Sequence, residues 1–351
     1  MYTVGIIGLG KIAAMYGKPE EKAPYCHVGG IRHSDRVELT AVCDISEPVT
    51  AAFTERWGEC FPKLHTHDSF AKMWDTDRPD IVGVCVRGPH HFDVMMEVIE
   101  AGPKAIFLEK PPTCSLEEMD TMVAAAKAKG VPITVSYSRH WCPHVLRLQE
   151  LVQKEGIIGE VKSVVAYTGG SFLSFTSHVT DLICQFAGYD ATAIYARGHA
   201  HGEAAPGYEG EPALDSALIE FASGVTGVHV GQQGEHGGFY VHVFGEEGMV
   251  RAGIYTPPFA RTKDGPNDHS QHAMPENASV FQLAYEQIAD QLDAVGTTAP
   301  TVGGGSPKAD CTDEQWHVIH ELGFAGIESV LTNQRVAIPN ANRSLRIYAN
   351  G

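Results

Sequence analysis

Glu109-Lys110-Pro111-Pro112 sets a carboxylate and an ammonium at the end of a four-residue apolar run, Ala105 to Leu108. The run reads as a short buried strand, and two prolines cannot continue one, so the chain turns there. Open α/β sheets bind ligands beyond the carboxyl ends of their strands, which makes Lys110 a cation at a ligand-binding edge. A lysine so placed can orient a substrate hydroxyl and stabilise a developing alkoxide. A second set lies in the other half of the chain, where His178 and Asp181 are three residues apart in a run that reads as a helix from Thr176, with serine or threonine as cap. That spacing puts both on one helix face, and a histidine there can accept and return a proton.

The element that would bring a cofactor to Lys110 is at the start. Thr3 to Ile7 is an apolar, β-branched run that breaks into Gly8-Leu9-Gly10-Lys11-Ile12-Ala13, the G-x-G-x-x-G/A pattern of a dinucleotide turn. The first glycine permits the tight turn, the second clears space for a pyrophosphate, and Ala13 lets the following helix lie close. Gly8, Gly10, Lys11 and Ile12 are thus the expected cofactor-facing residues. The motif needs an acid at the end of the next strand, and Val37 to Cys43 runs into Asp44. The gap exceeds the usual ~20 residues; a loop inserted over 16–25, rich in Lys, Glu and Pro, accounts for it. Asp44 would accept from the adenosine ribose hydroxyls and repel a 2′-phosphate, so NAD is expected rather than NADP.

Further strands are expected at 80–86, ending in Arg87-Gly88-Pro89-His90-His91, at 105–108 and at 131–135, with helices at 50–57, 69–75, 92–101 and 116–129. Alternation of this kind predicts an α/β fold with a parallel sheet. His65-Thr66-His67-Asp68 resembles half a metal site, but no third or fourth ligand sits at metal spacing, so a polar turn and no metal are expected. In the second half, strand-like runs at 161–168, 193–197, 216–221, 225–231 and 240–244, joined mostly by short glycine-containing turns, predict a largely antiparallel sheet. The run 255–278 reads as a long surface loop in which His269 and His272 could face a ligand; Gly303-Gly304-Gly305 reads as a joint between helices at 280–295 and 314–332. His317 and His320 share a face of the last helix as packing or interface residues.

At 351 residues two domains are expected, and a net charge of -17 with scattered Lys and Arg argues against a nucleic-acid partner. Eight cysteines spread singly, without a CxxC pair, suit reduced thiols. Met1 leads into a strand without a charged-then-apolar leader and no apolar run approaches membrane-spanning length, so the expectation is a cytoplasmic protein with no membrane partner.

Taken together, a strand into Gly8-x-Gly10-x-x-Ala13, a strand into Asp44, Pro89-x-His91 after the fourth strand and Glu109-Lys110-Pro111 after the fifth resemble the Gfo/Idh/MocA oxidoreductases. The resemblance implies a Rossmann NAD-binding domain over 1–137 and an α+β domain over 138–351 whose large open sheet makes a homo-oligomer, dimer or tetramer. It implies that Lys110 is the substrate-side catalytic residue, with a Lys-Pro bond that is often cis, and that His178 of a His-x-x-Asp element with Asp181 moves the proton. His91 and Glu109 would stand at the cofactor, and Tyr137, Arg139 and Ser174 at the substrate. The implied activity is NAD-dependent hydride transfer to or from a sugar, sugar derivative or cyclitol. Some members instead cleave glycosides by transient oxidation, elimination and re-reduction, which is the alternative. One departure stands out: the family often carries an aspartate four residues before the histidine and a glycine two before, and here these are Ser174 and Thr176. A serine holds no charge, so a carboxylate-assisted mechanism lacks its acid in the local sequence.

Overall fold

Six strands from the first part of the chain pair in parallel: β1 Tyr2–Ile7, β2 Val37–Cys43, β3 His65–His67, β4 Ile81–Val84, β5 Ala105–Leu108 and β6 Ile133–Val135. Their order is β3-β2-β1-β4-β5-β6 in a computed structural model that describes residues 1–231, 239–253, 258–268, 279–294, 311 and 313–349. This is the doubly wound order, with its switch point between β1 and β4. The central strands are apolar because helices cover both faces of such a sheet; β4 and β5 are buried along their whole length. Helices α1 His27–Arg32, α2 Glu47–Trp57, α3 Phe70–Thr76, α4 His91–Ala101 and α5 Leu116–Lys129 alternate with the strands. Residues 16–26 form the expected insertion: a single wide helical turn at Lys11–Met15 ends, and α1 starts only at His27.

Where a polar turn was expected at 65–68, the chain instead makes the edge strand β3, pairing Ala41 with His65 and Cys43 with His67. A third polar group joins the two histidines, because Asp77, at the end of α3, reaches both rings.

The second sheet has nine strands, β7 Val161–Tyr167, β8 Ala191–His199, β10 Ala213–Phe221, β11 Thr226–Val230, β12 Tyr240–Gly245, β13 Gly248–Gly253, β14 Phe259–Thr262, β15 Gly265–Asp268 and β16 Val336–Ala337, in the order β15-β14-β13-β12-β7-β11-β10-β8-β16. The short strand β9 Glu209–Gly210 pairs with β17 Ile347–Tyr348. All pairings of the large sheet are antiparallel except β11 with β7. Helix α6 Pro143–Gln149 packs on β13, and α7 Ser177–Ala187 lies on β7, β11 and β12. The stretch read as one long loop contains the β14–β15 hairpin, whose four-residue strands are too short and, in Gly265-Pro266, too poor in apolar residues for a periodicity reading. His269, His272 and Gly303 to Gly305 lie outside the described residues.

Two helices follow, α8 Val280–Ala294 and α9 Asp313–Thr332. The chain divides into two compact units, and the division is not the linear one at 137/138. The first unit comprises Met1–Pro112, Asp120–Trp141 and α8; the second takes Thr113–Met119, the large sheet with α6 and α7, and α9 onward. Within the first unit α8 packs along α1, using the apolar face of Phe281, Tyr285 and Ile288. Within the second, His320 Nε2 lies 2.9 Å from Thr113 Oγ1 and is buried, a packing role as expected. All eight cysteines are free, seven of them buried. Among the described residues no helix is long and apolar enough to cross a membrane.

Candidate active site

The glycine turn is built by two different demands on backbone. Gly8 has φ +84°, and a Cβ there would stand 2.9 Å from the backbone of Cys85 and Val86, so only glycine allows β1 to end against the end of β4. Around Gly10 the opposite holds: a Cβ would have nothing within 4 Å, so the space above the turn is open. Leu9 N–H donates to Asp44 Oδ2 at 2.8 Å, and Ser46 N–H donates to Asp44 Oδ1 at 2.8 Å. The carboxylate thereby ties the glycine turn to the turn after β2. Lys11 is exposed and Ile12 half-buried at the start of the wide helical turn, where Tyr16 N–H bonds Lys11 O at 2.8 Å. An open cradle at Gly10, a helical turn presenting N–H groups and a carboxylate at the next strand end fit a dinucleotide: phosphates over the turn, ribose hydroxyls at Asp44.

On the same sheet edge, β5 delivers Glu109 and Lys110. Glu109 N–H bonds Val84 O at 2.9 Å, continuing the ladder, and the Lys110–Pro111 bond is cis, as the resemblance implies. Lys110 is half-buried, whereas Glu109 is 4% exposed and points inward. Its Oε1 lies 2.9 Å from His27 Nε2, and its Oε2 accepts from Lys110 N–H at 3.3 Å. Burial pushes the Glu109 carboxyl up, but the hydrogen bond and charge of His27, with Lys110 and Ser136, outweigh it and hold it below the usual carboxylate range. An ionised carboxylate only accepts, so His27 donates from Nε2, while its Nδ1 meets the Tyr285 hydroxyl at 2.9 Å. Phe107 and Phe281 flank the imidazole at centroid distances of 4.9 and 4.6 Å. The chain Tyr285–His27–Glu109 therefore backs Lys110 from inside the first unit.

Two residues expected at the cofactor have their polar atoms on protein partners. Glu109 faces His27, and His91 is fully buried with Nδ1 2.7 Å from Pro111 O and Nε2 2.8 Å from Val86 O. Burial lowers the His91 pKa against the raising effect of both carbonyls. A neutral ring has one N–H to donate, so His91 bonds one of these two carbonyls and packs against the other, between the turn after β5 and the end of β4. Tyr137 and Arg139, expected at the substrate, are both buried, and Arg139 donates to Ser138 Oγ at 2.7 Å, which lies 3.1 Å from the Tyr25 hydroxyl.

In the second unit a wide turn at Phe172–Thr176 runs straight into α7, all eleven residues of which are buried. Glycines of α9 seat that turn: a Cβ on Gly323 would come 2.5 Å from Leu173 Cδ2, and one on Gly326 would come 2.6 Å from Phe172 Cε1. Hydroxyls in the first turn of α7 are satisfied by backbone one turn earlier, Ser177 Oγ on Leu173 O at 2.8 Å and Thr180 Oγ1 on Thr176 O at 3.3 Å. His178, 8% exposed, stands edge-on to Phe239 with centroids 5.9 Å apart. Asp181 is fully buried and accepts from Gln185 Nε2 at 2.7 Å. Ser174 is met by Glu211, a buried acid that sequence reasoning missed; its carboxylate accepts from Leu173 N–H, Ser174 N–H and Ser174 Oγ. His27 was missed as well. Its only local signal is a histidine in an otherwise apolar helix start, Cys26-His27-Val28-Gly29-Gly30-Ile31.

Comparison with known proteins bears on the fold and on the cofactor. Residues 2–137 match a family model described as "Oxidoreductase family, NAD-binding Rossmann fold". The myo-inositol 2-dehydrogenase of Thermotoga maritima is 23% identical over 351 residues, spanning 95% of this chain and 98% of that protein. An uncharacterized oxidoreductase of Bacillus subtilis, YrbE, is 26% identical over 268 residues, 71% of this chain and 73% of its own length. Among solved structures, an Agrobacterium radiobacter oxidoreductase in complex with NAD+, L-tartaric acid and magnesium superposes with TM-score 0.73 at 16% identity, covering 96% of this chain and 98% of that one; this likeness shows the fold.

Proposed function

We propose that the chain, whose residues 2–137 match the oxidoreductase family with an NAD-binding Rossmann fold, binds NAD there and transfers a hydride between it and a hydroxyl- or carbonyl-bearing carbon of a sugar, sugar derivative or cyclitol. The observation that carries this reading is the placement of Lys110 at the carboxyl end of β5, on the sheet edge shared by the Gly8–Gly10 turn and Asp44. The substrate class follows the relatives, among them a myo-inositol 2-dehydrogenase.

Bound NAD supplies the hydride acceptor. The remaining work falls to this chain. The glycine turn and the N–H groups after it hold the phosphates, and Asp44 takes the ribose hydroxyls and disfavours a 2′-phosphate. Lys110 donates to the substrate oxygen and stabilises the alkoxide as the hydride leaves carbon. His178 accepts the hydroxyl proton in oxidation and returns it in reduction, a contribution of roughly 10²–10⁴ in rate. Asp181, one turn further along α7, anchors the helix from which His178 projects, and Ser174 stands at the turn before it as a substrate-side hydroxyl.

The same reading makes the protein a homo-oligomer, dimer or tetramer, through the outer face of its large sheet. The ladder registers put Tyr195, Leu218, Val230, Tyr167, Tyr240 and Phe244 on one face, with Tyr167 and Tyr240 stacked at 4.7 Å. Leu218 is 44% exposed there, an apolar surface that a second copy would cover. Eight free cysteines suit the cytoplasm.

The test is absorbance of reduced nicotinamide while the protein meets NAD and a panel of sugars, cyclitols and glycosides, with products analysed in parallel. Sustained NADH growth with one of these classes is expected. Glycoside cleavage without net NADH would replace the reading by the redox-neutral alternative, and inertness toward every member despite NAD binding would overturn it.

A further inference from the structure

Among the described residues, strand β3 forms the edge of the parallel sheet, with β2 its one neighbour. Alternation along a strand puts His65 and His67 on one face, two residues apart. Helix α3 follows, and the residue that closes it, Asp77, returns to that face with Oδ1 2.5 Å from His65 Nδ1 and Oδ2 2.6 Å from His67 Nε2. One donor atom from each residue lies within 4.8 Å of the other two. Neither nucleotide binding nor hydride transfer makes use of this trio.

We propose that His65, His67 and Asp77 bind a divalent transition-metal ion of the zinc, cobalt or nickel class. Two imidazoles and one carboxylate form a donor set that suits these borderline ions; magnesium and calcium require mostly oxygen ligands. The three donors are already gathered, since each imidazole is hydrogen-bonded to its own oxygen of the same carboxylate. Asp77 and His67 are shielded, at 9% and 12% side-chain exposure, while His65 is 60% exposed. The site thus has two ligands held by packing, one able to swing, and a solvent side where water can complete the coordination. An ion ~2.1 Å from each donor keeps tetrahedral neighbours about 3.4 Å apart, so each imidazole must withdraw a little under ~1 Å from the carboxylate; rotation of exposed His65 provides much of this. The chain's charge of -17 favours cation capture overall.

The experiment uses the full-length protein stripped with chelator and titrated with Co²⁺, followed by its visible ligand-field absorption, and with Zn²⁺ by calorimetry. Saturable binding of one ion per chain is expected. His65→Ala, an exposed position, and His67→Ala should each weaken binding about tenfold or more, the scale by which losing even supporting groups weakens metal sites. Zn²⁺ should raise the unfolding temperature of the parent protein and leave that of the His65→Ala/His67→Ala double variant unchanged. The double variant, checked for its fold by circular dichroism, separates this site from the chain's other histidines. If it binds Co²⁺ with the parent's stoichiometry and affinity, or if the parent shows no saturable binding, the site does not exist.

Discussion

Ser174 Oγ donates to Glu211 Oε2 at 2.6 Å, so the carboxylate absent from the sequence at position 174 arrives from 37 residues further along the chain. The same acid takes the N–H groups of Leu173 and Ser174 through Oε1. A buried carboxylate with three donors on one turn fixes the geometry of the backbone that leads into His178.

Glu211→Ala should therefore loosen the 172–176 turn, at a cost of about 1–3 kcal/mol for each buried donor left unpaired, with a fall in kcat exceeding any rise in KM. Ser174→Ala removes one donor and should cost only about 1 kcal/mol. Chemical denaturation and steady-state kinetics on both variants check this; equal effects would mean the acid is not the organiser.

Asp44→Ser removes a charged acceptor that also holds Leu9 and Ser46 N–H groups. NADH binding should weaken by about 10–100-fold, the scale of a charged hydrogen bond, while NADPH binding weakens less. Fluorescence titration with both cofactors decides it, and an unchanged preference would remove Asp44 from the ribose.

Lys110→Ala and His178→Ala should each lower turnover by about 10²–10⁴ with the affinity for NADH nearly that of the parent protein. A variant retaining the parent rate would lose its assigned role.

His27→Ala takes from the buried Glu109 carboxylate its imidazole partner, leaving the Lys110 N–H and Ser136. Loss of such a partner costs about 3–5 kcal/mol, against about 1 kcal/mol for Tyr285→Phe, which removes one neutral hydrogen bond. Urea unfolding of the two variants should show that difference; a cost below that of Tyr285→Phe would mean the His27–Glu109 hydrogen bond contributes little.

His229, on the inner face of β11 beside Ala166 and Ala217, is held neutral by burial, which lowers its pKa to about 3. In the unfolded chain it protonates near 6.5. Stability contributed by the neutral ring is complete above that value and is lost as pH falls from 6.5 toward 3. By pH 5 the loss amounts to about 2 kcal/mol. A His229→Leu variant should be less sensitive by that amount when unfolding free energies at pH 7 and pH 5 are compared.

By itself the sequence determined the nucleotide half of this protein. The tight turn at Gly8 and the acid at the end of the next strand were legible because a glycine turn needs consecutive residues and its acid sits at the next strand end; alternating apolar runs likewise announce βαβ units, whose contacts are local. The place of Lys110 at a strand end was legible for the same reason, at the break between a buried run and two prolines. Tertiary structure alone decided which polar groups meet. Glu109 was expected to face the cofactor and instead pairs with His27, 82 residues earlier; His91, expected beside it, bonds backbone; Glu211 answers Ser174; Asp77 completes the pair of histidines on β3. Helix α8 belongs with the first unit although the chain reaches it only after the second sheet. Periodicity reports which face of an element is buried, but it carries no record of what lies across that face. Partners of buried polar groups are chosen by packing between distant segments, and they become visible only once the chain has folded.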